Sequence, residues 1–262
     1  MHALQTAATG MAAQELQVQL ISNNIANMST TGYKRQLAEF SDLLYEHVRR
    51  IGTQSSDQGN ILPVGIDIGS GVKTVGTPRI TTQGSLSQTG NSFDMAITGD
   101  GFFKIQMPDG TFSYTRDGSF MLDGTGRLVT AQGYVVQPGI TVPQNATGFT
   151  VNTQGQVSVT PVGTTTPTIL GQLTLTRFIN QAGLLPIGDN LLQETPASGA
   201  PQDGLPATNG AGSIQQASLE QSNVDSVTEI TNLIAAQRAY EMNSKVITAS
   251  DEMLSSVVSL QR

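Results

Sequence analysis

Three residue types are missing or scarce in this sequence. Its 262 residues include no cysteine, no tryptophan and only two histidines, His2 and His47. The lack of cysteine excludes disulfide bonds, thiolate metal ligands and a cysteine nucleophile. One histidine lies at the N-terminus and the other in a charged stretch, whereas zinc needs clustered ligands, so the sequence predicts no metal site.

Charge is scarce too. Only 13% of the residues are charged, and 13 Lys and Arg against 20 Asp and Glu give a formal net charge of −7. This balance argues against nucleic acid and against an anionic membrane surface as partners, because both need clustered basic residues. No run of 18 apolar residues occurs. The first residues lack the pattern of a cleaved signal peptide, which leaves a cytoplasmic protein or export through an uncleaved N-terminus.

Both ends of the chain predict long amphipathic helices. Apolar residues recur there every seven positions, which is the spacing of coiled-coil seams. Residues 222–262 contain neither Pro nor Gly, and Asn223 or Asp225 could cap the second helix. Ordinary core packing of each helix is the simpler alternative. The two rows are Leu4, Met11, Val18 and Ile25, and Leu233, Tyr240, Ile247 and Leu254.

The middle of the chain predicts β-structure. Asp-Gly pairs at 100–101, 109–110, 117–118 and 123–124 separate short apolar runs, and Asp-Gly between such runs is a strong hairpin signal. The sequence thus predicts a mixed α+β fold, with long terminal helices paired as a coiled-coil-like core, extended linkers and a β-rich central domain. The predicted domains are a helical one (1–34 and 222–262), an extended or β-rich linker (35–95 and 205–221) and a β-rich one (96–204).

Motifs that would indicate catalysis or ligand binding are weak in this sequence. "GSGVKT" at 69–74 has Val72 where a phosphate-binding loop needs Gly before the Lys. No G-x-S-x-G elbow occurs, and the Asp spacing fits turns better than calcium loops. The sequence gives no support for the paired carboxylates of a glycosidase, although folding could bring two distant carboxylates together. The sequence therefore predicts no enzyme, no catalytic residue and no cofactor.

The polar segment "SNNIANMSTTGYKRQ" at 22–36 carries the first resemblance. It is similar to the N-terminal signature of bacterial flagellar rod and hook proteins, an Asn-Asn-x-Ala-Asn followed by a Thr-x-Gly-Tyr-Lys-like segment. "AAQRAYE" at 235–241 resembles the family's C-terminal helix. "YTRDGSF" and "SSDQGNILPVGIDIGSGV" look like the distal rod members. The matching signature residues are Asn23, Asn24, Ala26, Asn27, Thr31 (or Thr30), Gly32, Tyr33 and Lys34.

The resemblance implies a structural subunit of the distal rod in the flagellar basal body. Many copies would form a helical tube, with the terminal helices inside, the linkers in a middle layer and the β domain outside. The tube would transmit torque from motor to hook and form part of the export channel. The implied partners are further copies, proximal rod proteins, hook or hook-cap-side proteins, the bushing rings of the outer envelope and the flagellar type III export apparatus. Neither a nucleic acid nor a small-molecule substrate is implied.

The signature residues have expected roles. Gly32 would supply a turn conformation that other residues resist, and the Asn side chains would bond backbone groups where the helix ends. Lys34 and Arg35 would be an exposed basic pair that meets acceptors in a neighbouring layer. A simple helix C-cap is the alternative.

A Gly- and Pro-containing segment between the first helix and the β-rich middle cannot form a helix. Its apolar surface favours an extended finger that, in a rod of the kind the resemblance implies, packs on a neighbouring subunit and keeps the rod straight, and a flexible surface loop is the alternative. Its apolar residues are Ile51, Ile61, Leu62, Pro63 and Val64. Two other functions stay open: a proximal rod or hook subunit, and a secreted hydrolase or sugar-binding β protein.

Overall fold

The computed structural model describes residues 2–49, 64–164 and 166–260. These residues form two compact units. The first contains the described residues of Met1–Ile25, Gln36–Pro78 and Asp225–Arg262, and the second consists of Ala26–Arg35 and Arg79–Val224. Helices stand at both ends of the chain and strands fill the middle, so the predicted mixed α+β composition is confirmed.

Two long helices dominate the first unit. Helix α1 spans His2–Ala26 and helix α2 spans Ser226–Leu260, so both ends of the chain contain a long helix as expected. The side chain of Asp225 accepts hydrogen bonds from the Val227 amide at 3.0 Å and from the Thr228 hydroxyl at 3.2 Å. Asp225 is therefore the N-cap of α2, because it satisfies donors of the first turn that lack an intrahelical partner.

The two helices contact each other through small and polar residues. Asn24 Nδ2 donates to Glu229 Oε2 at 3.3 Å, and a Cβ built on Gly10 would lie 2.8 Å from Asn243 Nδ2. The order of these two contacts is that of antiparallel helices. Three buried residues of α2, Glu229, Ala236 and Ser250, fall in a seven-residue register with the half-buried Asn243. The seven-residue spacing is thus present, on a row next to the predicted apolar one.

Strands of the first unit form one two-stranded ribbon. The pairing is antiparallel between β1 and β4 and between β2 and β3, and the Leu43 amide continues the ladder to Gly71 O at 2.8 Å. All five residues of β2 are exposed. The strands are β1 (Glu39–Asp42), β2 (Tyr45–Arg49), β3 (Ile66–Gly69) and β4 (Val72–Gly76).

The second unit is built from short antiparallel strands. A nine-stranded sheet has the order β16-β17-β8-β7-β11-β10-β9, with β15 joining β7 to β18, and smaller sheets pair β12-β13-β14, β6-β19 and β5-β20. A short 3₁₀ turn spans Gln181–Gly183. The strands are β5 (Leu86–Gln88), β6 (Met95–Thr98), β7 (Phe102–Gln106), β8 (Phe112–Thr115), β9 (Met121–Leu122), β10 (Leu128–Val129), β11 (Val135–Val136), β12 (Ala146–Val151), β13 (Gln156–Pro161), β14 (Thr168–Gln172), β15 (Leu175–Arg177), β16 (Leu185–Gly188), β17 (Leu191–Gln193), β18 (Gln202–Gly204), β19 (Ser213–Gln216) and β20 (Ser218–Glu220).

Strand β7 separates two apolar clusters of this unit. Successive side chains of a strand point to opposite faces of the sheet. Phe103 packs edge-on against Phe120 at 5.0 Å in the larger cluster, while Phe102 contacts Phe178 at 6.0 Å in the smaller one. Because both faces of β7 are buried, two adjacent residues of this strand must be apolar, and Phe102 and Phe103 meet that requirement.

Only two of the four Asp-Gly pairs close hairpins. The pair at 109–110 joins the paired strands β7 and β8, and the pair at 123–124 joins β9 and β10. The pairs at 100–101 and 117–118 connect strands that pair with other partners, so the hairpin prediction is wrong there. Turn residues such as Asp-Gly favour a local reversal of the chain, but which strands pair depends on contacts with strands that are distant in the sequence.

Candidate functional site

The signature segment ends α1 in a tight turn. The Thr30 amide donates to Asn27 O at 3.1 Å, and the Tyr33 amide donates to Thr30 O at 3.3 Å. Gly32 has a φ of +69°, and a Cβ there would lie 2.8 Å from the Asp117 backbone nitrogen. Glycine is therefore required twice, by the left-handed conformation and by the closely approaching backbone.

Asn24 joins the end of α1 to the chain that leaves the turn. Its Nδ2 donates to Gln36 O at 2.9 Å, and its Oδ1 accepts from the Gln36 amide at 3.0 Å. The buried Asn24 side chain thus makes with the Gln36 backbone the two hydrogen bonds that a neighbouring strand would otherwise make. This agrees with the expected role of the signature asparagines, which is to bond backbone groups where the helix ends. Of the other signature residues, Asn23 and Ala26 are exposed, Asn27 and Thr31 are half-buried, and Tyr33 is buried.

Lys34 belongs to a buried charge cluster. It is 8% exposed, and its Nζ donates to Glu220 Oε1 and to Thr82 O, the latter at 2.9 Å. Glu220 is fully buried and accepts from Arg116 Nη1 at 3.2 Å and from the Gly84 amide at 3.0 Å. The expected exposed basic pair is wrong for Lys34, because a lysine in a low-dielectric interior needs a carboxylate and this chain supplies one.

The charge cluster connects four separated segments of the second unit. Burial lowers the pKa of Lys34, and the contact with Glu220 opposes that effect. Removing either partner would leave a buried charge, which costs about 3–5 kcal/mol. The turn after α1 is thereby fixed to β20 and to the loop that follows β8.

No sequence pattern pointed to Glu220 or Arg116 as members of this cluster. A fully buried glutamate has no signature in a single sequence, since Glu is usually an exposed residue. The available sequence signal for a buried Glu220 was the alternation of residue faces along a strand. In "SLE" at 218–220, Ser218 and Glu220 share a buried face, and Leu219 is half-buried. Arg116 lies in "YTRDGSF", a segment already noted for its resemblance.

The predicted packing rows are only partly covered within one chain. Leu4, Met11, Val18 and Ile25 are half-buried, as are Leu233 and Ile247. Tyr240 is 44% exposed and Leu254 is 46% exposed. Apolar side chains therefore remain accessible on the helices, and their role in contacts between subunits stays a prediction.

The proposed stiffening segment falls largely outside the described residues. Ile51, Ile61, Leu62 and Pro63 are not described, and Val64 is exposed. Within the described ranges, no cluster of three or more His, Asp or Glu side chains has the arrangement of a metal site. No helix in that part of the chain has both the length and the apolar character to span a membrane.

Three family models match separate parts of the chain. "Flagella basal body rod protein" matches residues 4–34, "Flagellar hook protein FlgE/F/G D1 domain" matches 96–159, and "Flagellar basal body rod FlgEFG protein C-terminal" matches 215–260. The first match contains the signature residues up to Lys34, and the last contains all of α2.

Proteins that are similar over nearly the whole chain are also named flagellar basal-body rod proteins. The chain is 52% identical to the flagellar basal-body rod protein FlgG of Caulobacter vibrioides, with 100% of both chains covered. It is 51% identical to FlgG of Agrobacterium fabrum over 98% of both chains. It is 36% identical to the rod protein FlgF of Caulobacter vibrioides, over 92% of this chain and 90% of that one. The chain therefore belongs to the family of flagellar basal-body rod proteins.

Proposed function

We propose that this chain is the distal rod subunit, and that copies of it build a helical tube. As a member of the rod family it is a structural protein of the flagellar basal body, it is not an enzyme, and it assembles with other flagellar components. One observation favours the distal position: identity is 52% to FlgG but 36% to FlgF of the same bacterium.

The proposed arrangement places the helices inside the tube. The domains would be those predicted from the sequence: a helical inner core (1–34 and 222–262), a linker layer (35–95 and 205–221) and an outer β domain (96–204). Coiled-coil-like pairing of α1 and α2 is supported by the contacts of Asn24 with Glu229 and of Gly10 with Asn243. The half-exposed apolar rows of both helices would then pack against neighbouring copies.

The tube would serve as drive shaft and as part of the export channel, and motility would depend on it. Its specific neighbours would be proximal rod proteins, hook or hook-cap-side proteins and the bushing rings, after export of the subunit by the flagellar type III apparatus without a cleaved signal peptide. Subunit packing would supply the torsional strength, because every interface repeats along the shaft.

The position in the rod is tested by labelling. An epitope inserted after Gly110 lies in an exposed hairpin turn, where an added Cβ meets no atom within 4 Å. Antibody-gold on isolated basal bodies should mark the rod segment next to the hook, and the untagged strain should show no gold. Gold confined to the motor end would favour a proximal subunit, and gold along the hook would favour a hook subunit.

A second part of the proposal concerns straightness. We propose that the segment around 51–65 packs against a neighbouring copy and resists the sliding that bending requires. Its support is the composition: Gly52, Gly59 and Pro63 prevent a helix, while the apolar residues offer contact surface. Deleting residues 54–63 should give curved or irregular rods in isolated basal bodies. Straight rods of unchanged length would contradict the proposal.

A further inference from the structure

A small pocket in the second unit lies beside the buried charge cluster. Its volume is about 40 Å³, and three of its lining residues are basic, Lys34, Arg79 and Arg116. No lining residue is acidic, although the chain as a whole carries seven more acidic than basic residues. The pocket is therefore a local positive site in an acidic protein.

Within the described residues, the positive charge of this pocket is only partly neutralised. Glu220 already accepts hydrogen bonds from Lys34, from Arg116 and from the Gly84 amide. Within the described ranges Arg79 has no carboxylate partner, its Nε is buried without a hydrogen-bond partner, and its electrostatic contact is with Tyr33, which also lines the pocket. An unpaired guanidinium that is half-buried is costly, because desolvation is not repaid by an opposite charge.

Arg116 supplies a second unsatisfied donor. Its side chain is 4% exposed, its two terminal nitrogens bond Glu220 and Gly99 O, and its Nε has no partner in the described part of the chain. The guanidinium also lies 5.3 Å from the centre of the Phe102 ring, and Phe102 is part of the apolar wall. Apolar walls strengthen an ionic contact inside the pocket because they exclude water.

We propose that this pocket binds a carboxylate, and that in the assembled rod an Asp or Glu side chain of a second copy provides it. Guanidinium groups pair with carboxylates through two parallel hydrogen bonds, which suits the free fork of Arg79. The volume admits a carboxylate head but not a sugar or a nucleotide. A second copy is the occupant because rod subunits pack against one another and each carries excess acid, so this part rests on the proposed function.

The pocket is tested first on the monomer. Acetate should shift the side-chain Nε–Hε NMR signal of Arg79 along a saturating curve, whereas chloride at equal ionic strength should not. Arg79→Gln should abolish saturation at the remaining pocket signals, and Arg79→Lys should weaken acetate binding at least about fivefold, because a lysine lacks the fork. Arg127→Gln is the control, since Arg127 is already paired with Asp123. A response to acetate that matches chloride would overturn the proposal.

Assembly then identifies the source of the carboxylate. Arg79→Gln should raise the critical concentration for tube formation about tenfold, which equals about 1.4 kcal/mol at each contact, and Arg127→Gln should leave it within about twofold. Melting curves confirm that each variant folds, and Arg79→Lys replaces Arg79→Gln if the latter does not. Acetate binding with unchanged assembly of the variants would make the pocket a free-anion site and overturn the second-copy occupant. Failure of the wild type to assemble would refute the proposed function and the occupant, while acetate binding would still support the pocket.

Discussion

Gly32 and Gly110 have similar backbone angles in different surroundings. Both have positive φ, +69° and +84°, but a Cβ on Gly32 would meet backbone atoms at 2.8 Å while a Cβ on Gly110 would meet nothing within 4 Å. Comparing the two glycines therefore distinguishes the cost of the left-handed backbone conformation, which both share, from the cost of a steric clash, which only Gly32 has. It also shows why the signature contains a glycine at this position.

We predict that Gly32→Ala destabilises the second unit more than Gly110→Ala does. The left-handed conformation alone costs alanine about 1–2 kcal/mol, and the conflict with the backbone at Asp117 should add at least a similar amount at position 32. Denaturant unfolding of both variants, followed in the β-rich unit, measures the difference. Equal losses would show that the backbone at 116–117 moves aside freely.

Asp123 gives a pH-dependent contribution to stability. Its Oδ1 accepts from the Thr125 hydroxyl at 2.7 Å, from the Thr125 amide at 2.8 Å and from the Arg127 amide at 2.8 Å. These hydrogen bonds hold the pKa of Asp123 well below its ordinary value of 3.8. A carboxylate with a lowered folded-state pKa stabilises the fold above its unfolded pKa, and the contribution is lost as pH falls towards the folded pKa.

We therefore predict that Asp123→Asn lowers the melting temperature at pH 7 and that the gap to wild type narrows below about pH 4. The amide oxygen of asparagine keeps the turn bonds in part, but it lacks the charge that titrates. Thermal melts between pH 2 and pH 7 measure the gap. A gap that is the same at every pH would show that Asp123 acts only as a hydrogen-bond acceptor.

At the scale of elements, the helices show two kinds of surface. The contacts between α1 and α2 include Asn24 with Glu229 and Gly10 with Asn243, whereas larger apolar side chains such as Met253 and Leu254 stay exposed. Exposed apolar surface on a long helix marks an interaction site. In the proposed tube, the larger apolar residues would be available for contacts with other copies.

We predict that Ile247→Asp prevents rod assembly while the β-rich unit still folds. Ile247 is half-buried in one chain, and a neighbour that covers it would bury the new charge at a cost of several kcal/mol in every copy. The matched control is Thr248→Asp, one residue away and exposed. Electron microscopy and motility assays measure assembly. Normal rods with Ile247→Asp would refute the role of the seven-residue row.

At the scale of the whole molecule, the two units differ in what supports them. The β-rich unit has a contiguous core that includes Met95, Phe103 and Leu175. The helical unit leaves many apolar side chains exposed, among them Val227, Met242 and Val258. Segments that cannot bury enough apolar surface alone gain order when partners cover them.

We predict that limited proteolysis of the monomer removes both chain ends and leaves a core near Arg79–Val224. The same digestion of assembled tubes should spare the ends, because neighbouring copies would cover them. Mass spectrometry of the fragments defines the cut sites. Strong protection of residues 4–25 in the monomer would contradict the prediction and show that one chain stabilises its own helices.

The sequence by itself determined the local features of this protein. The seven-residue spacing predicted α1 and α2, the lack of Pro and Gly predicted the length of α2, and the Asp-Gly pairs at 109–110 and 123–124 predicted real hairpins. The signature turn was also readable, since a glycine at position 32 signals a special backbone angle. Such features depend on residues close together in the chain, and a single sequence contains them completely.

Tertiary structure alone decided which surfaces are covered. Lys34 looked exposed beside Arg35, yet it is buried because Glu220, 186 positions away, provides the opposite charge. The pairs at 100–101 and 117–118 carry hairpin chemistry, but their strands pair with distant partners. Likewise, the contacts between the helices that join Asn24 to Glu229 and Gly10 to Asn243 lie next to the predicted apolar rows. Burial and pairing are set by contacts between distant segments, and the energy of a charge or an apolar side chain depends on those contacts rather than on its neighbours in sequence.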